Sequence, residues 1–296
     1  MPHISSPLLL GAIRLLPAGA ILVAWAAATR RTHPTSVQAF MWITLFGLVD
    51  GAAFQGFLAE GLSRTGAGLG SVIIDSQPLT VAVLAAILFG ERLGPYAIAG
   101  LFLGVLGLLL VELPPDVIGD LAQGVIMAPD ATAMGLMKGI SLSNIGESGE
   151  FWMLCAAQSM AVGTVMIRYV TKHADSIYAT GYHMLIGGIV LLAALAVQDP
   201  NAIHDALQAG TAEDAATLSY VSIIGGAASY GIFFYNVSVK GNLTALSSLT
   251  FLTPLFALGT GFALLGETLT PLQFFGALVT LMAVYFINYG KPEVKS

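Results

Sequence analysis

Three ionisable side chains, Arg14, Asp50 and Asp75, each lie about ten residues inside a long apolar run. At 1.5 Å of helix rise per residue they reach a similar depth, roughly 15 Å from one end. Isolated ions in hydrocarbon are costly, so such groups face a cavity or one another. Their chemistry would be ligand and proton handling: Arg14 attracts an anionic group, while Asp50 or Asp75 carries a proton. A structural ion pair that fixes helix register is the competing role. His183, eight residues into its own apolar run, adds a side chain suited to proton exchange near neutral pH. The competing role there is a hydrogen-bonded core histidine.

Neutral polar residues extend the set. Gln55, Gln77, Gln158, Tyr182, Tyr230, Tyr235 and Asn236 are placed to line a cavity. Hydrogen bonds between helices are the alternative for each. Pro78 and Pro254 each remove a backbone donor near the middle of a run and are candidate gating elements; a static kink is the alternative. Glu91 and Glu267, in equivalent Gly-Glu turns, are expected to bond free backbone groups at the start of the next helix, outside any substrate site. The sequence offers no catalytic constellation such as H-E-x-x-H, no metal-ligand spacing, no nucleotide-binding motif and therefore no expected cofactor. The single Cys155 excludes a disulfide framework.

The elements that must position these residues are membrane helices. The chain has 296 residues, 56% hydrophobic and only 9% charged, far below the roughly one quarter charged residues of soluble domains. A span needs about 20 apolar residues. Nine such runs are read: 4–27, 40–59, 67–89, 95–111, 151–170, 176–197, 216–239, 244–265 and 271–289. The first is too long, and too interrupted by Arg14 and Pro17, to read as a cleaved signal peptide. No basic run points to nucleic acid.

The two halves repeat. SVIIDSQPLTVAVLAAILFGERLGPYAIAG (Ser71 to Gly100) matches SSLTFLTPLFALGTGFALLGETLTPLQFFG (Ser247 to Gly276) without a gap, 176 residues on. A weaker match sets Ser6, Gly11 and Leu15 against Ser176, Gly181 and Leu185. The domain reading is a first repeat at 1–111, an external linker at 112–150, a second repeat at 151–290 and a cytoplasmic tail at 291–296.

Charge fixes orientation. One set of helix ends carries eight cations (Arg30, Arg31, Arg92, Arg168, Lys172, Lys240, Lys291, Lys295), the other only Arg64 and Lys138. The C-terminus is therefore expected in the cytoplasm, and the copies run in opposite directions: Arg92 marks an inner turn where Thr268 marks an outer one. The second copy shows five helices and the first four. The counterpart of 151–170 is expected before Met1; a nine-span protein is the alternative. The acidic stretch 201–215 reads as an external loop with a short helix.

The Arg-bearing LLLGAIRLLPAGA (Leu8 to Ala20), the GERLGP and GETLTP turns and the tandem halves resemble the EamA family of the drug/metabolite transporter superfamily. The stretches Phe54 to Glu91 and Phe151 to Val170 are most similar to a cyanobacterial and chloroplast branch of WAT1-related proteins. The resemblance covers nearly the whole chain. It implies an all-α polytopic membrane protein of ten helices, in two inverted five-helix repeats around a central cavity, with alternating access by rocking bundles. The expected function is a secondary transporter, not an enzyme, that exports or exchanges a small metabolite, with a proton as candidate driving ion. A membrane-embedded enzyme or a lipid scramblase is the alternative. The expected partners are the small-molecule substrate and the bilayer, in a bacterial inner membrane; oligomeric state is unread.

Overall fold

Nine helices long and apolar enough to cross a membrane occur among the described residues of the computed structural model, which are 6–112, 145–239, 242–266, 268 and 270–289. We label the spans α1 (Pro7–Ala28), α2 (Val37–Leu62), α3 (Gly68–Phe89), α4 (Pro95–Glu112), α5 (Gly149–Val170), α6 (Ser176–Gln198), α7 (Ala212–Val239), α8 (Leu243–Leu264) and α9 (Pro271–Tyr289). All nine sequence-read runs appear, with edges moved by a few residues. A short helix, Ala202–Ala209, stands in the expected 201–215 stretch. Most of the 112–150 linker, the tail and Glu267 lie outside the described residues.

Local chemistry sets the ends. Ser6 and Ser36 accept hydrogen bonds from Leu9 N–H and Ala39 N–H, capping α1 and α2. Asp175 Oδ1 accepts from Ile177 N–H and Tyr178 N–H at the start of α6. Thr211 with Asp214, and Thr270 with Gln273, form reciprocal capping pairs that open α7 and α9. Gly90 and Gly266 end α3 and α8 at φ of 67° and 69°. Glycine takes that left-handed conformation without a Cβ penalty, which is why each turn of the repeat carries it at the same place.

Gly47–Ala53 in α2 and Val221–Ala228 in α7 are widened π-helical segments, and a third, Gly261–Leu265, closes α8. Shifting 47–53 by the repeat register gives 223–229, so the first two segments are equivalent features of the two copies. Both copies also break their third helix alike. In α3, helix Ala67–Asp75 gives way at Ser76 to Gln77–Phe89; in α8, a tight turn Ser248–Leu252 precedes Thr253–Thr260. Pro78 and Pro254 are each the second residue of the later segment, where a missing N–H costs least.

The chain divides into two compact units, 1–60 with 159–241, and 61–158 with 242–296. Each draws helices from both repeat copies. In the first unit α1 packs antiparallel on its repeat mate α6. A Cβ on Gly19 would lie 2.7 Å from Gly181 O, and one on Gly188 would lie 2.7 Å from Leu16. Ala12, Leu15, Ala18, Leu22, Met184 and Leu191 form the core between them.

In the second unit α4 packs antiparallel on its mate α9. Gly100 faces Ala283 and Ile287, while Gly276 faces Gly107 and Val111. Adding 176 to 107 and 111 returns 283 and 287, so the two contacts are one contact seen twice. Equivalent helices meeting antiparallel through equivalent residues is the geometry of an inverted repeat.

Candidate functional site

The deepest polar group of the first unit lies where the π segment of α2 presses on α6. Gly47 and Gly51 leave room for this approach: a Cβ on either would lie 3.1 Å or 2.8 Å from His183 O. Asp50, between them, is thereby delivered to His183. Its Oδ2 lies 3.3 Å from His183 Nε2, with both side chains 1% exposed. On the other side Asp50 meets α5 at Gly163, where any Cβ would collide with the carboxylate.

His183 Nδ1 lies 2.5 Å from Thr180 O. A carbonyl can only accept, so Nδ1 carries hydrogen and Nε2 is left to face Asp50. Neither Nε2 nor Oδ2 makes another hydrogen bond among the described residues. A hydrogen on either facing atom, the carboxyl oxygen or the imidazole nitrogen, would lie toward the other.

Aromatic rings close the site. Phe46 stacks on His183 with centroids 4.2 Å apart, and Phe234 meets its edge at 5.6 Å. Tyr230, one turn before Phe234 on α7, tilts over the imidazole at 6.4 Å. Tyr230 lies within the electrostatic reach of Arg14 and Asp50 and beside the Gln55 side chain. Arg14 is half-buried and makes no ion pair among the described residues. The unit thus gathers a cation, a carboxyl–imidazole pair, an amide and a phenol from α1, α2, α6 and α7.

Of the sequence-read candidates, Arg14, Asp50, Gln55, His183 and Tyr230 come together. Tyr182 does not. Its hydroxyl pairs with His33 Nε2 at 2.9 Å, in a separate cluster with Tyr178 and Phe40. Tyr235 lies 5.5 Å beneath the Arg31 guanidinium, and Asn236 bonds its own helix at Ile232 O. Asp75, Gln77 and Gln158 belong to the second unit. There Asp75 is buried, and the charge that acts on it is another carboxylate, Glu112, which Ser71 reaches at 3.4 Å. Gln77 is fully buried with both amide atoms unpartnered among the described residues, and Gln158 is half-buried.

Of the ionisable side chains among the described residues, His183 is the one Asp50 meets, where the π segment of α2 packs against α6. One reading is corrected. Glu91 bonds the start of α8 rather than that of the next helix: Leu243 N–H donates to Oε1 at 3.0 Å and Thr244 hydroxyl to Oε2 at 3.2 Å. Sequence reasoning missed Phe46, Gly163 and Phe234. Phe46 lies four residues before Asp50 and Phe234 four after Tyr230, a spacing that places each pair on one helix face.

Long apolar helices in two inverted copies, with ionisable groups buried among them, define the class: an all-helical, multi-pass integral membrane protein of carrier architecture. Within that class the chain belongs to the EamA-like transporter family, whose model matches residues 1–113 and 147–289. It is 51% identical over 290 residues to a chloroplastic WAT1-related protein of Arabidopsis thaliana, covering 98% of this chain and 64% of that protein. It is 48% identical over 284 residues to an uncharacterized transporter of Synechocystis, covering 96% of this chain and 82% of that one. The chain thus spans less than two thirds of the Arabidopsis relative. A solved crystal structure shares the fold at a TM-score of 0.69 and 14% identity, over 97% of this chain and 89% of that one.

Proposed function

We propose that the protein is a secondary carrier that moves a small anionic metabolite by alternating access, with the Asp50–His183 pair holding the coupling proton. The observation that carries this reading is the isolation of the pair: a buried carboxyl and imidazole 3.3 Å apart, with no other partner for the facing atoms among the described residues. A group that must take up and release a proton needs a site whose two states differ by one hydrogen and little else. Arg14, with no ion pair among the described residues and near Tyr230, supplies the charge that favours an anionic group. Export and exchange both fit such a site. The paired Pro78 and Pro254 breaks support a gating role for α3 and α8.

The cation excess at one set of helix ends supports a cytoplasmic face carrying Arg30, Arg31, Arg92, Arg168 and Lys172, in a bacterial inner membrane. An organellar membrane, of the kind named for the Arabidopsis relative, is the second reading.

The test uses proteoliposomes loaded with a pH-sensitive dye and challenged with a panel of amino acids and small carboxylates. Compounds entering the panel are those that raise the melting temperature of the purified protein, since a ligand of the folded state alone does so. Substrate-dependent acidification or alkalinisation is expected, and is lost in Asp50→Asn and His183→Gln. Unchanged pH dependence in both variants overturns the coupling. Movement of a fluorescent phospholipid without any solute flux would favour a scramblase.

A further inference from the structure

The face of the first unit formed by α1 and α7 carries an open groove of about 370 Å³. Its walls are aliphatic and aromatic: Ile21, Leu22 and Trp25 from α1, with Ile223, Ile232 and Tyr235 from α7. The exception is Arg31, three residues beyond the end of α1, at one end of the wall. We propose that this groove binds a single anionic phospholipid, with an acyl chain along α1 and α7 and the phosphate at Arg31.

Three observations select this occupant. First, the groove has the length of one leaflet. From Ile223 to Tyr235 the α7 wall advances about 18 Å at 1.5 Å per residue, against roughly 15 Å for half of a ~30 Å hydrocarbon core. Second, the polar end lies where a headgroup would be. Arg31 follows a helix that is apolar from Leu15 to Ala28, and Trp25, 61% exposed, sits near that end, as aromatic residues at membrane boundaries do.

Third, the guanidinium has donors to spare. Asp175 Oδ2 takes Nη1 at 3.0 Å and Tyr235 lies under the plane, while Nη2 makes no hydrogen bond among the described residues and the side chain stays 30% exposed. Arginine presents five N–H donors in a planar fork suited to phosphate, so one carboxylate does not exhaust it. Arg30 beside it adds a second positive charge to the same end. Phosphatidylcholine would fill the apolar walls equally well and brings a phosphate too, but its choline offsets it. Two arginines with one carboxylate leave a positive charge that a net-anionic lipid answers.

The test reads the groove from inside. The chain has three tryptophans, and Trp42→Phe with Trp152→Phe leaves Trp25 as the single emitter. The full-length protein is placed in phosphatidylcholine vesicles containing brominated phosphatidylglycerol or, at the same mole fraction, brominated phosphatidylcholine. Bromine quenches only on contact. One basic residue near an anionic lipid surface is worth about 1 kcal/mol, so quenching by the phosphatidylglycerol should reach its midpoint at a roughly fivefold lower mole fraction.

Arg31→Gln is expected to bring that ratio to about one, while Arg31→Lys retains most of it. Asp175→Asn keeps the cap acceptor of α6 and frees Nη1, so it should hold or widen the ratio. Excess soluble glycerol 3-phosphate should leave the quenching unchanged. Equal quenching by both lipids overturns the proposal, as does a preference that survives Arg31→Gln in protein eluting as a folded species. Relief of quenching by glycerol 3-phosphate would make this a free-phosphate site, and overturns the lipid assignment as well.

Discussion

The carboxylate of Glu91 closes the start of α8 across 152 residues of sequence, accepting the Leu243 N–H at 3.0 Å and the Thr244 hydroxyl at 3.2 Å. A turn of the first repeat copy thus supplies the cap for a helix of the second. In a chain whose helices have little polar surface, a buried charge-assisted cap ties the copies together where apolar packing is unselective. Replacing Glu91 by Ala strips an N-cap acceptor and should lower stability by about 1–2 kcal/mol. Glu91→Gln, which keeps one acceptor oxygen, should lose clearly less. Melting temperatures of the detergent-purified variants check the order; equal losses would mean that the carboxylate acts through bulk alone.

Gly163 tests the geometry around Asp50. A methyl there collides with the carboxylate, so Gly163→Ala should displace Asp50 from His183 and cost about 1–3 kcal/mol. In an Asp50→Ala background the same methyl enters vacated space and should cost less than half as much. The double-mutant cycle gives the coupling directly from the four melting temperatures. Additive losses would place the strain elsewhere in α5.

Asp75 and Asp50 are separated by their neighbours. Asp50 faces an imidazole and Asp75 a second carboxylate. Asp75→Asn relieves a like-charge contact in a buried setting, and the melting temperature should stay level or rise. The pH dependence of flux should survive in Asp75→Asn and vanish in Asp50→Asn. The reverse outcome would move the coupling proton to the second unit.

The repeat predicts equal penalties at Gly100 and Gly276. Each packs against the same pair of positions on its mate, 283 with 287 and 107 with 111. A leucine side chain at either must separate α4 from α9, at a cost of at least about 1–3 kcal/mol. Melting temperatures of Gly100→Leu and Gly276→Leu should therefore fall alike. A difference of several fold would show that the contact is not symmetric.

The sequence by itself determined the spans and the repeat. Hydrocarbon demands about 20 apolar residues per crossing, and nothing distant alters that requirement. It also determined the helix ends, since Gly90, Gly266 and the Ser6, Ser36 and Thr211 caps act on backbone within a turn of themselves. Depth was legible too: Asp50, Asp75 and His183 are buried because burial follows from position along a span.

Tertiary structure alone decided the partners. A helix of given sequence says how deep a side chain sits, but its azimuth depends on which neighbour it packs against. The π segment of α2 alters that azimuth with no residue-type signature of its own, and so sends Asp50 to His183. Tyr182, one residue from His183, was turned away to His33 for the same reason. Glu91 reaches α8 because the two compact units cut across the repeat copies, a division set by long-range packing that no window of sequence contains.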